Sequence, residues 1–407
     1  MISWIWVISV WEIAAICVIL YVGMYLVANT LLGLHTKYVA ENTPIFPPIS
    51  VLIPVYNEPI DALSPVLEAW RNVDYPDFEV IFVDDSTVPM DSAEFKCIRR
   101  VNRIGYKGGA LRNAMYFINS KSEWVAVFDA DCVVSPDVLK RMATHFNIGV
   151  GAVQGYQKIG RNYHQNALTR FIAMAASLAN LQLLGRRQYH GFVCTQGTVM
   201  AYRVQAVREI GGLAPYITVN EDLDTSFRLF KAGWDIEYDG NIIGDHISPE
   251  RVRTFWRQLI RWTSSTVREY RRHLGSFLLS TNVSLKRKLD SLAFLTFWIL
   301  SLMVAPTIFF IPLIGKLLFA LSPWITVVAV AIPVILFSTA GLVERALHRI
   351  PEALLLYFLL LIPGYFVSWY AVMKGLFVDG TFTRTNKTIY ENEEMSAHAA
   401  VAQESVD

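Results

Sequence analysis

Long apolar runs occur near both ends of the chain. The first covers residues 4–32 and carries a single charged residue, Glu12. Three more runs follow late in the chain, at roughly 290–315, 323–343 and 353–375. Because about 20 apolar residues span a bilayer as a helix, each run predicts a transmembrane helix. The first is too long for a signal peptide and has no basic residue ahead of it. Kinks or broken helices are expected at the prolines of the late runs, Pro306, Pro312 and Pro363.

The middle of the chain has a different pattern. From residue 48 to about 245, short apolar runs alternate with segments long enough for a helix. Three runs have the length of a strand: "ISVLIPV" (49–55), "FEVIFV" (78–83) and "WVAVF" (124–128). This alternation is typical of βαβ units, which build a parallel sheet covered on both faces. The predicted fold class is therefore α/β, with the sheet domain embedded between transmembrane α-helices.

Acidic residues come directly after all three predicted strands. The acids are Glu58 after the first strand, Asp84 and Asp85 after the second, and Asp129 and Asp131 after the third. Tyr56 also follows the first strand. Sheets of this kind bind ligands at the carboxyl ends of their strands. We therefore expect these side chains to meet at one edge of the sheet and to line a binding site.

Asp129 and Asp131 are separated by one residue, in the segment "DADC". On an extended chain two such side chains lie on the same side and repel each other unless a cation lies between them. Mg²⁺ or Mn²⁺ prefers oxygen ligands and commonly shares its site with substrate phosphates. The pair thus indicates a divalent metal site, and a turn with solvated acids is the weaker alternative.

The segment "GYKGGALRNAM", residues 105–115, adds a cation to this group. Its glycines allow the backbone to approach a ligand closely, and Lys107 between them can meet a phosphate. A helix is expected to start near Ala110, with an N-terminus that favours an anion. A plain tight turn is the alternative interpretation.

Composition narrows the class of protein. Hydrophobic residues make up 53% of the 407 residues and the mean hydropathy is +0.35, which is too apolar for an ordinary soluble enzyme. The net charge of +1 gives no indication of nucleic acid binding. Four cysteines without metal-like or disulfide-like spacing are expected to be free thiols in a reducing compartment.

Six short motifs in order carry a family resemblance: "PVYNEP", "VDDST", "YKGGALRNAM", "DADC", "NEDLDTSFRLFKAGW" and "RQLIRW". With the flanking apolar runs, the chain resembles the membrane-integrated glycosyltransferases of family 2, which include cellulose, chitin-oligosaccharide, hyaluronan and poly-N-acetylglucosamine synthases. The resemblance implies a GT-A fold, a Rossmann-like sheet that binds a nucleotide diphosphate sugar. The implied divisions are an N-terminal transmembrane helix (1–34), a cytoplasmic GT-A domain (45–250), interfacial basic helices (251–288), C-terminal transmembrane helices (289–376) and a polar, partly disordered tail (377–407).

The resemblance also implies roles for individual residues in the donor site. Asp84 or Asp85 would bind the uracil and ribose, with Tyr56 and Glu58 nearby. Asp131, together with Asp129, would hold Mg²⁺ or Mn²⁺ on the donor diphosphate. The metal would neutralise the charge that develops on the leaving nucleoside diphosphate.

Sugar transfer needs a base that accepts the proton of the acceptor hydroxyl. The segment "TVNEDLDTSFRLFKAGW" (218–234) supplies candidate carboxylates for this role. The family usually has Thr-Glu-Asp here, whereas this chain has Asn220 in place of Thr. By resemblance Asp222 is the base, Glu221 orients or contacts the acceptor, and transfer inverts the anomeric carbon. Asp224 is expected to be a helix cap, and the helix is expected to end at Gly233.

Gln258, Arg261 and Trp262 are spaced so that they share one face of a helix. An aromatic plane and planar donors suit a sugar or a phosphate, and in the family this motif binds the acceptor end and the diphosphate. The surrounding segment is also basic enough to lie on an anionic membrane. We expect both roles, with the basic surface formed by Arg268, Arg271 and Arg272.

The tail segment "GTFTRTNKT" (380–388) resembles the loop that covers the nucleotide in cellulose synthases, through Phe382, Thr385 and Lys387. An ordinary polar tail is the alternative. Three late spans would place residues 376–407 on the side opposite the catalytic domain. Consequently the loop match is spurious, or one late segment is re-entrant or interfacial.

The expected function is inverting transfer from UDP-glucose or UDP-N-acetylglucosamine to a growing β-linked glycan. The expected location is the plasma (inner) membrane, with the catalytic domain cytoplasmic. One alternative is a glycolipid synthase that adds a sugar to a diacylglycerol or polyprenyl carrier. A second alternative, from another class, is a non-catalytic membrane scaffold or transporter.

Overall fold

The computed structural model describes residues 2–36, 45–90, 94–100, 102–215, 219–302, 304–305 and 330–378. The predicted loop at Phe382, Thr385 and Lys387, and the prolines Pro306 and Pro312, lie outside these residues.

Eleven α-helices occur in the described parts of the chain. In chain order, α1 to α11 are Ile2–Leu34, Ile60–Arg71, Tyr106–Ala114, Val138–Ala143, Ala167–Gln188, Val204–Glu209, Glu221–Lys231, Val252–Leu279, Leu285–Ile299, Val330–Val343 and Ile350–Phe377. A short 3₁₀ helix, Leu347–Arg349, precedes α11.

The described strands form one eight-stranded sheet in the order β3-β2-β1-β4-β7-β6-β8-β5. In chain order, β1 to β8 are Ile49–Val55, Phe78–Asp84, Lys96–Arg99, Trp124–Val127, Val133–Val134, Val150–Ile159, Met200–Arg203 and Asp235–His246. The α/β architecture expected from the sequence is confirmed, but the sheet is mixed rather than fully parallel, because β7 pairs antiparallel with β4 and β6, and β5 with β8.

The three predicted strands are β1, β2 and β4, and each is within one residue of its expected bounds. They run parallel in register, with Ile49 opposite both Phe78 and Trp124. Their apolar residues are buried against helices on both faces of the sheet, which explains the continuous apolar runs. Because the strands are parallel, the residues that follow them meet at one edge.

Helix α1 packs along α5, and glycine makes this contact close. A Cβ atom on Gly33 would lie 2.0 Å from the backbone oxygen of Leu181, and one on Gly185 would lie 2.1 Å from that of Asn29. Helices α10 and α11 pack on another part of α5 through a separate apolar cluster. Small residues that let helix backbones approach are typical of packing within membranes.

Three described helical segments are long and apolar enough to cross a membrane: Ile16–Leu34, Ala167–Gln188 and Leu347–Phe377. The first and third agree with the runs predicted from the sequence. The second, α5, was not predicted, and it is partly covered by the sheet strand β6 and by α1. The predicted run at 323–343 appears as the 14-residue helix Val330–Val343, while part of it lies outside the described residues.

Asp290 of α9 joins these helices to the sheet domain. Its buried carboxylate accepts hydrogen bonds from the hydroxyls of Tyr25 and Tyr189, both at 2.7 Å, and from the backbone N–H of Phe192 at 2.6 Å. Helix α1, the end of α5 and α9 therefore share one acceptor, which fixes the sheet domain against the apolar helices.

The last described residue, Val378, lies against α8. Its carbonyl accepts a hydrogen bond from Arg268 at 3.2 Å. The end of α11 therefore contacts α8.

Candidate active site

A cleft of about 330 Å³ opens at the carboxyl edge of the sheet, roofed by α8. Its lining includes eleven of the twelve predicted site residues: Tyr56, Glu58, Asp85, Lys107, Asp129, Asp131, Glu221, Asp222, Gln258, Arg261 and Trp262. A volume of this order is typical of ligand sites. The remaining predicted residue, Asp84, does not line the cleft.

Asp84 supports the loop after β2. It is fully buried, and its carboxylate accepts hydrogen bonds from the backbone N–H groups of Ser86 and Met90, both at 2.9 Å, and pairs with Arg99 at 2.5 Å. Its two oxygens are therefore used within the fold. Of the two acids predicted to bind the nucleobase and ribose, only Asp85 borders the cleft.

Asp85 and Tyr56, at one end of the cleft, each contact an arginine. Both oxygens of Asp85 accept hydrogen bonds from Arg100, each at 2.6 Å. The guanidinium of Arg103, which also lines the cleft, lies 3.1 Å above the ring of Tyr56. This end therefore presents a flat stacked surface, which suits a nucleobase.

Asp129 and Asp131 lie in a turn between β4 and β5 rather than on an extended chain. The sequence argument was therefore wrong about the backbone, although the two side chains do converge. They meet a third residue, His246 at the end of β8, and the three potential ligand atoms lie within 4.8 Å of one another. The Nδ1 atom of His246 is 3.6 Å from an Asp131 oxygen. Two carboxylates and an imidazole form a suitable donor set for a divalent transition metal.

Lys107 compensates the more exposed of these acids. Its Nζ atom pairs with the Asp129 carboxylate and donates a hydrogen bond to the backbone oxygen of Gly197 at 2.6 Å. Burial alone would lower the pKa of Lys107, but Asp129 and Glu221 raise it above its ordinary value. Lys107 is therefore a firmly charged cation at the centre of the cleft.

The helix that carries Lys107 begins at Tyr106, four residues earlier than expected from the sequence. Gly105 precedes it with a φ of 79°, a conformation that favours glycine. Gly108 faces α7, since a Cβ atom there would lie 3.3 Å from the Cβ of Glu221. Gly108 thus allows α3 and α7 to pack closely.

Glu221 and Asp222 begin α7 and line the cleft. Burial, followed by the neighbouring Glu221 carboxylate, raises the pKa of Asp222 to about 7. Burial also raises the pKa of Glu221, against the opposing effects of Lys107 and Arg261. A carboxyl group that titrates near neutral pH is well matched to general base catalysis.

Gly197 lies close to both Asp222 and Lys107. Its φ is 86°, and a Cβ atom there would lie 3.4 Å from an Asp222 oxygen and 3.8 Å from Lys107 Nζ. Because Lys107 also pairs with Asp129, the acids of α7 and of the β4–β5 turn lie near the same cation.

A buried group of charges joins α7 to α8. The Asp224 carboxylate accepts a hydrogen bond from Arg228 at 2.9 Å and lies 2.7 Å from His273 Nε2, while Glu269 pairs with Arg272 at 3.0 Å. Asp224 is therefore an ion partner, and the prediction that it caps the helix was wrong. Although three of these residues could reach a metal, their two arginines already balance the carboxylates.

Gln258, Arg261 and Trp262 lie together on the cleft side of α8, as their spacing predicts. Burial lowers the pKa of Arg261, opposed by Glu221 and Asp129, so this guanidinium faces the acids of the cleft. Trp262 is 45% exposed, which leaves its ring available to a ligand.

Two cleft residues whose side chains could bind a ligand or a metal, His246 and Arg103, were not predicted from the sequence. His246 ends a strand that runs in the same direction as β1 and β4, so the rule used for the acids also applies to it. The strand that ends at His246 lacks a continuous apolar run like those of β1, β2 and β4, so the rule did not identify it from the sequence. For Arg103 the sequence offers no comparable signal, because its position depends on the fold of the loop before α3.

Comparison with known proteins finds plant glucomannan mannosyltransferases among the relatives. The chain is 29% identical over 271 residues to a probable glucomannan 4-beta-mannosyltransferase 9 of Oryza sativa subsp. japonica, which covers 61% of this chain and 51% of the relative. It is 31% identical to glucomannan 4-beta-mannosyltransferase 7 of Arabidopsis thaliana, over 60% of this chain and 47% of the relative. The chain thus spans about half the length of the curated relatives it matches.

Among solved structures, the chain is similar to a mannosyltransferase from Pyrobaculum calidifontis in complex with GDP-Man and Mn²⁺. The TM-score is 0.60 and the identity 17%, with 92% of this chain and 100% of the other covered. This likeness confirms the GT-A fold expected from the sequence.

The model of the family described as "Glycosyltransferase like family 2" matches residues 47–265. That range contains the whole cleft described above, from Tyr56 to Trp262. The chain belongs to glycosyltransferase family 2.

Proposed function

We propose that the protein transfers a mannosyl group from GDP-mannose to a glycan hydroxyl at a membrane, with inversion at the anomeric carbon. The observation that carries the proposal is one cleft that brings the carboxylates of Glu221 and Asp222 and the cluster of Asp129, Asp131 and His246 close to Lys107. This arrangement pairs a base with a site for a departing diphosphate.

The choice of donor follows from the relatives. They are named as mannosyltransferases, and the similar solved structure holds GDP-Man. The comparisons do not support the UDP-glucose or UDP-N-acetylglucosamine expected from the sequence. The surface formed by Tyr56 and Arg103 can stack on a purine as well as on a pyrimidine.

The metal site fits a divalent ion held by Asp129, Asp131 and His246. Their donor set of two carboxylates and an imidazole favours Mn²⁺ over Mg²⁺, because imidazole suits transition metals. A bound ion would neutralise charge on the leaving GDP. Lys107 and Arg261 border the same space and would hold the diphosphate by charge-assisted hydrogen bonds.

On the acceptor side, Asp222 would take the proton of the attacking hydroxyl. Its raised pKa suits that step, and Glu221 beside it would orient the sugar. Gln258 and Trp262 would bind the acceptor end, Gln258 as a hydrogen-bond partner and Trp262 as an aromatic plane. In this account base and leaving group lie on opposite sides of the donor sugar, so one direct displacement follows.

A membrane location is supported by the three helical segments long enough to span a bilayer. We place the catalytic domain on the cytoplasmic side, where nucleotide sugars are found. The basic helix α8 would lie at the membrane surface, in contact with anionic lipid headgroups.

The donor assignment predicts that purified protein with Mn²⁺ releases GDP and forms labelled product from GDP-[¹⁴C]mannose. UDP-[¹⁴C]glucose and UDP-N-acetyl[¹⁴C]glucosamine, tested at equal concentration, should give product at background levels. Faster transfer from a UDP-sugar than from GDP-mannose would contradict the assignment.

The base assignment predicts that Asp222→Asn lowers kcat by about 10²- to 10⁴-fold, because general base catalysis is lost. GDP binding, measured by calorimetry, should stay near that of the parent protein. The base works deprotonated, so activity of the parent should fall as the pH drops through about 7. A fully active Asp222→Asn protein alongside an inactive Glu221→Gln protein would assign the role to Glu221 instead.

The metal assignment predicts that His246→Ala raises the Mn²⁺ concentration for half-maximal binding by about tenfold or more, since one of three ligands is lost. Electron paramagnetic resonance measures Mn²⁺ binding directly and does not depend on catalysis. His145→Ala is the matched control, because His145 pairs with Asp239 away from the cluster. Equal Mn²⁺ affinity in the His246 variant and the control would remove His246 from the site.

A further inference from the structure

A second cavity, of about 190 Å³, lies between α8 and the end of α11. Four cations line it: Arg257, Arg261, Arg268 and Lys374. None of the described residues that line this cavity is acidic. We call it the basic pocket.

Close helix packing gives the basic pocket a defined shape. A Cβ atom on Gly375 of α11 would lie only 2.6 Å from the backbone oxygen of Ser264 of α8. Arg268 is held by its hydrogen bond to the Val378 carbonyl. The packing of the two helices therefore brings the four cations to one place, with Arg268 buried and Arg257 exposed at the edge.

The pocket is continuous with the catalytic cleft. Val219, Arg261 and Ser265 line both cavities. A ligand held in the basic pocket would therefore lie next to the part of the cleft that contains Asp222 and Trp262.

The other side of the pocket leads along a candidate membrane span. Tyr370 lines the pocket, and Phe366, Ile362 and Leu359 follow it at spacings of three or four residues, so the four share one face of α11. All four are exposed in the structure, between 41% and 62%. An apolar surface on a membrane helix that begins at a cluster of cations suits a lipid with an anionic headgroup.

We propose that the basic pocket binds the phosphate of a lipid-linked acceptor, so that the sugar to be extended is presented on a lipid phosphate or diphosphate. Arginine binds phosphate through paired hydrogen bonds. Arg261 is assigned to the donor and Arg268 bonds the Val378 carbonyl, so we assign Arg257 and Lys374 to the acceptor phosphate. The lipid chain runs along α11, and the attached sugar enters the cleft past Val219. The acceptor's identity rests on the proposed mannosyl transfer, but binding in the pocket does not.

The transfer step balances without a further reactant. The acceptor hydroxyl loses its proton to Asp222 and forms a bond to the anomeric carbon of mannose. The bond from that carbon to the diphosphate breaks, and its electron pair leaves with GDP. The phosphate in the basic pocket anchors the acceptor and takes no part in bond breaking.

The test compares two acceptors that differ only in phosphate, decyl mannosyl phosphate and decyl mannoside, in phosphatidylcholine nanodiscs. The double variant Arg257→Gln/Lys374→Gln removes two pocket cations. The control variant Arg253→Gln/Lys286→Gln removes the same charge from exposed positions of α8 and α9 that line neither cavity.

Binding is measured first, by native mass spectrometry without GDP-mannose, so that it can be interpreted even if mannosyl transfer is not the reaction. The parent and the control should bind decyl mannosyl phosphate at least about tenfold more tightly than decyl mannoside, and the double variant should lose this preference. Equal affinity in the double variant and the control would overturn the proposal. Displacement by inorganic phosphate, or by phosphatidylglycerol at equal concentration, would also overturn it, since the pocket would then be a general anion or lipid site.

Transfer is measured second, from GDP-[¹⁴C]mannose. The double variant should raise the KM for decyl mannosyl phosphate by about tenfold, with the KM for GDP-mannose and for decyl mannoside unchanged. An equal rise for both acceptors would mean that the substitutions act on the fold or the donor site, and would contradict the proposal.

Discussion

Carboxylates that a protein removes from water need a cation or hydrogen bonds to remain charged. The catalytic cleft gathers four of them, Asp129, Asp131, Glu221 and Asp222, and the described residues bring Lys107 into their midst. Asp129 pairs with this lysine, Asp131 lies beside His246, and Asp222 responds with a raised pKa. In the proposed mechanism, this incomplete compensation leaves Asp129, Asp131 and His246 to hold a metal and Asp222 to accept a proton.

The fold maintains this arrangement through close contacts between elements distant in sequence. Gly108 brings α3 against α7, and Gly197 allows Lys107 and Asp222 to approach the same turn of backbone. The ion group around Asp224 and His273 then fixes α7 to α8. Consequently the cleft residues that follow the sheet strands and the cleft residues on α8 are positioned by the same few helices. Helix α8 in turn packs against α9 and α11.

Much of the sheet and of the cleft could be predicted because parallel strands leave a strong local signal. Continuous apolar runs locate β1, β2 and β4, and the residues after them converge for geometric reasons alone. Other features depend on tertiary contacts. Asp84 and Asp85 are adjacent acids with different surroundings. Asp84 accepts hydrogen bonds from backbone N–H groups, whereas Asp85 pairs with Arg100 beside the cleft. The early start of α3 likewise depends on a left-handed glycine at its N-terminus, which the sequence pattern does not distinguish from a loop glycine.

The central claim is that a base on α7 and a diphosphate held near Asp129 and Asp131 lie on opposite sides of the donor sugar. The anomeric configuration of the first mannose transferred tests this claim most directly, by nuclear magnetic resonance of the product isolated after a single addition. GDP-mannose carries the α configuration, so one displacement by a hydroxyl activated by Asp222 predicts a β-linked product. An α-linked product would contradict the account, because it requires retention and therefore a different arrangement of catalytic groups.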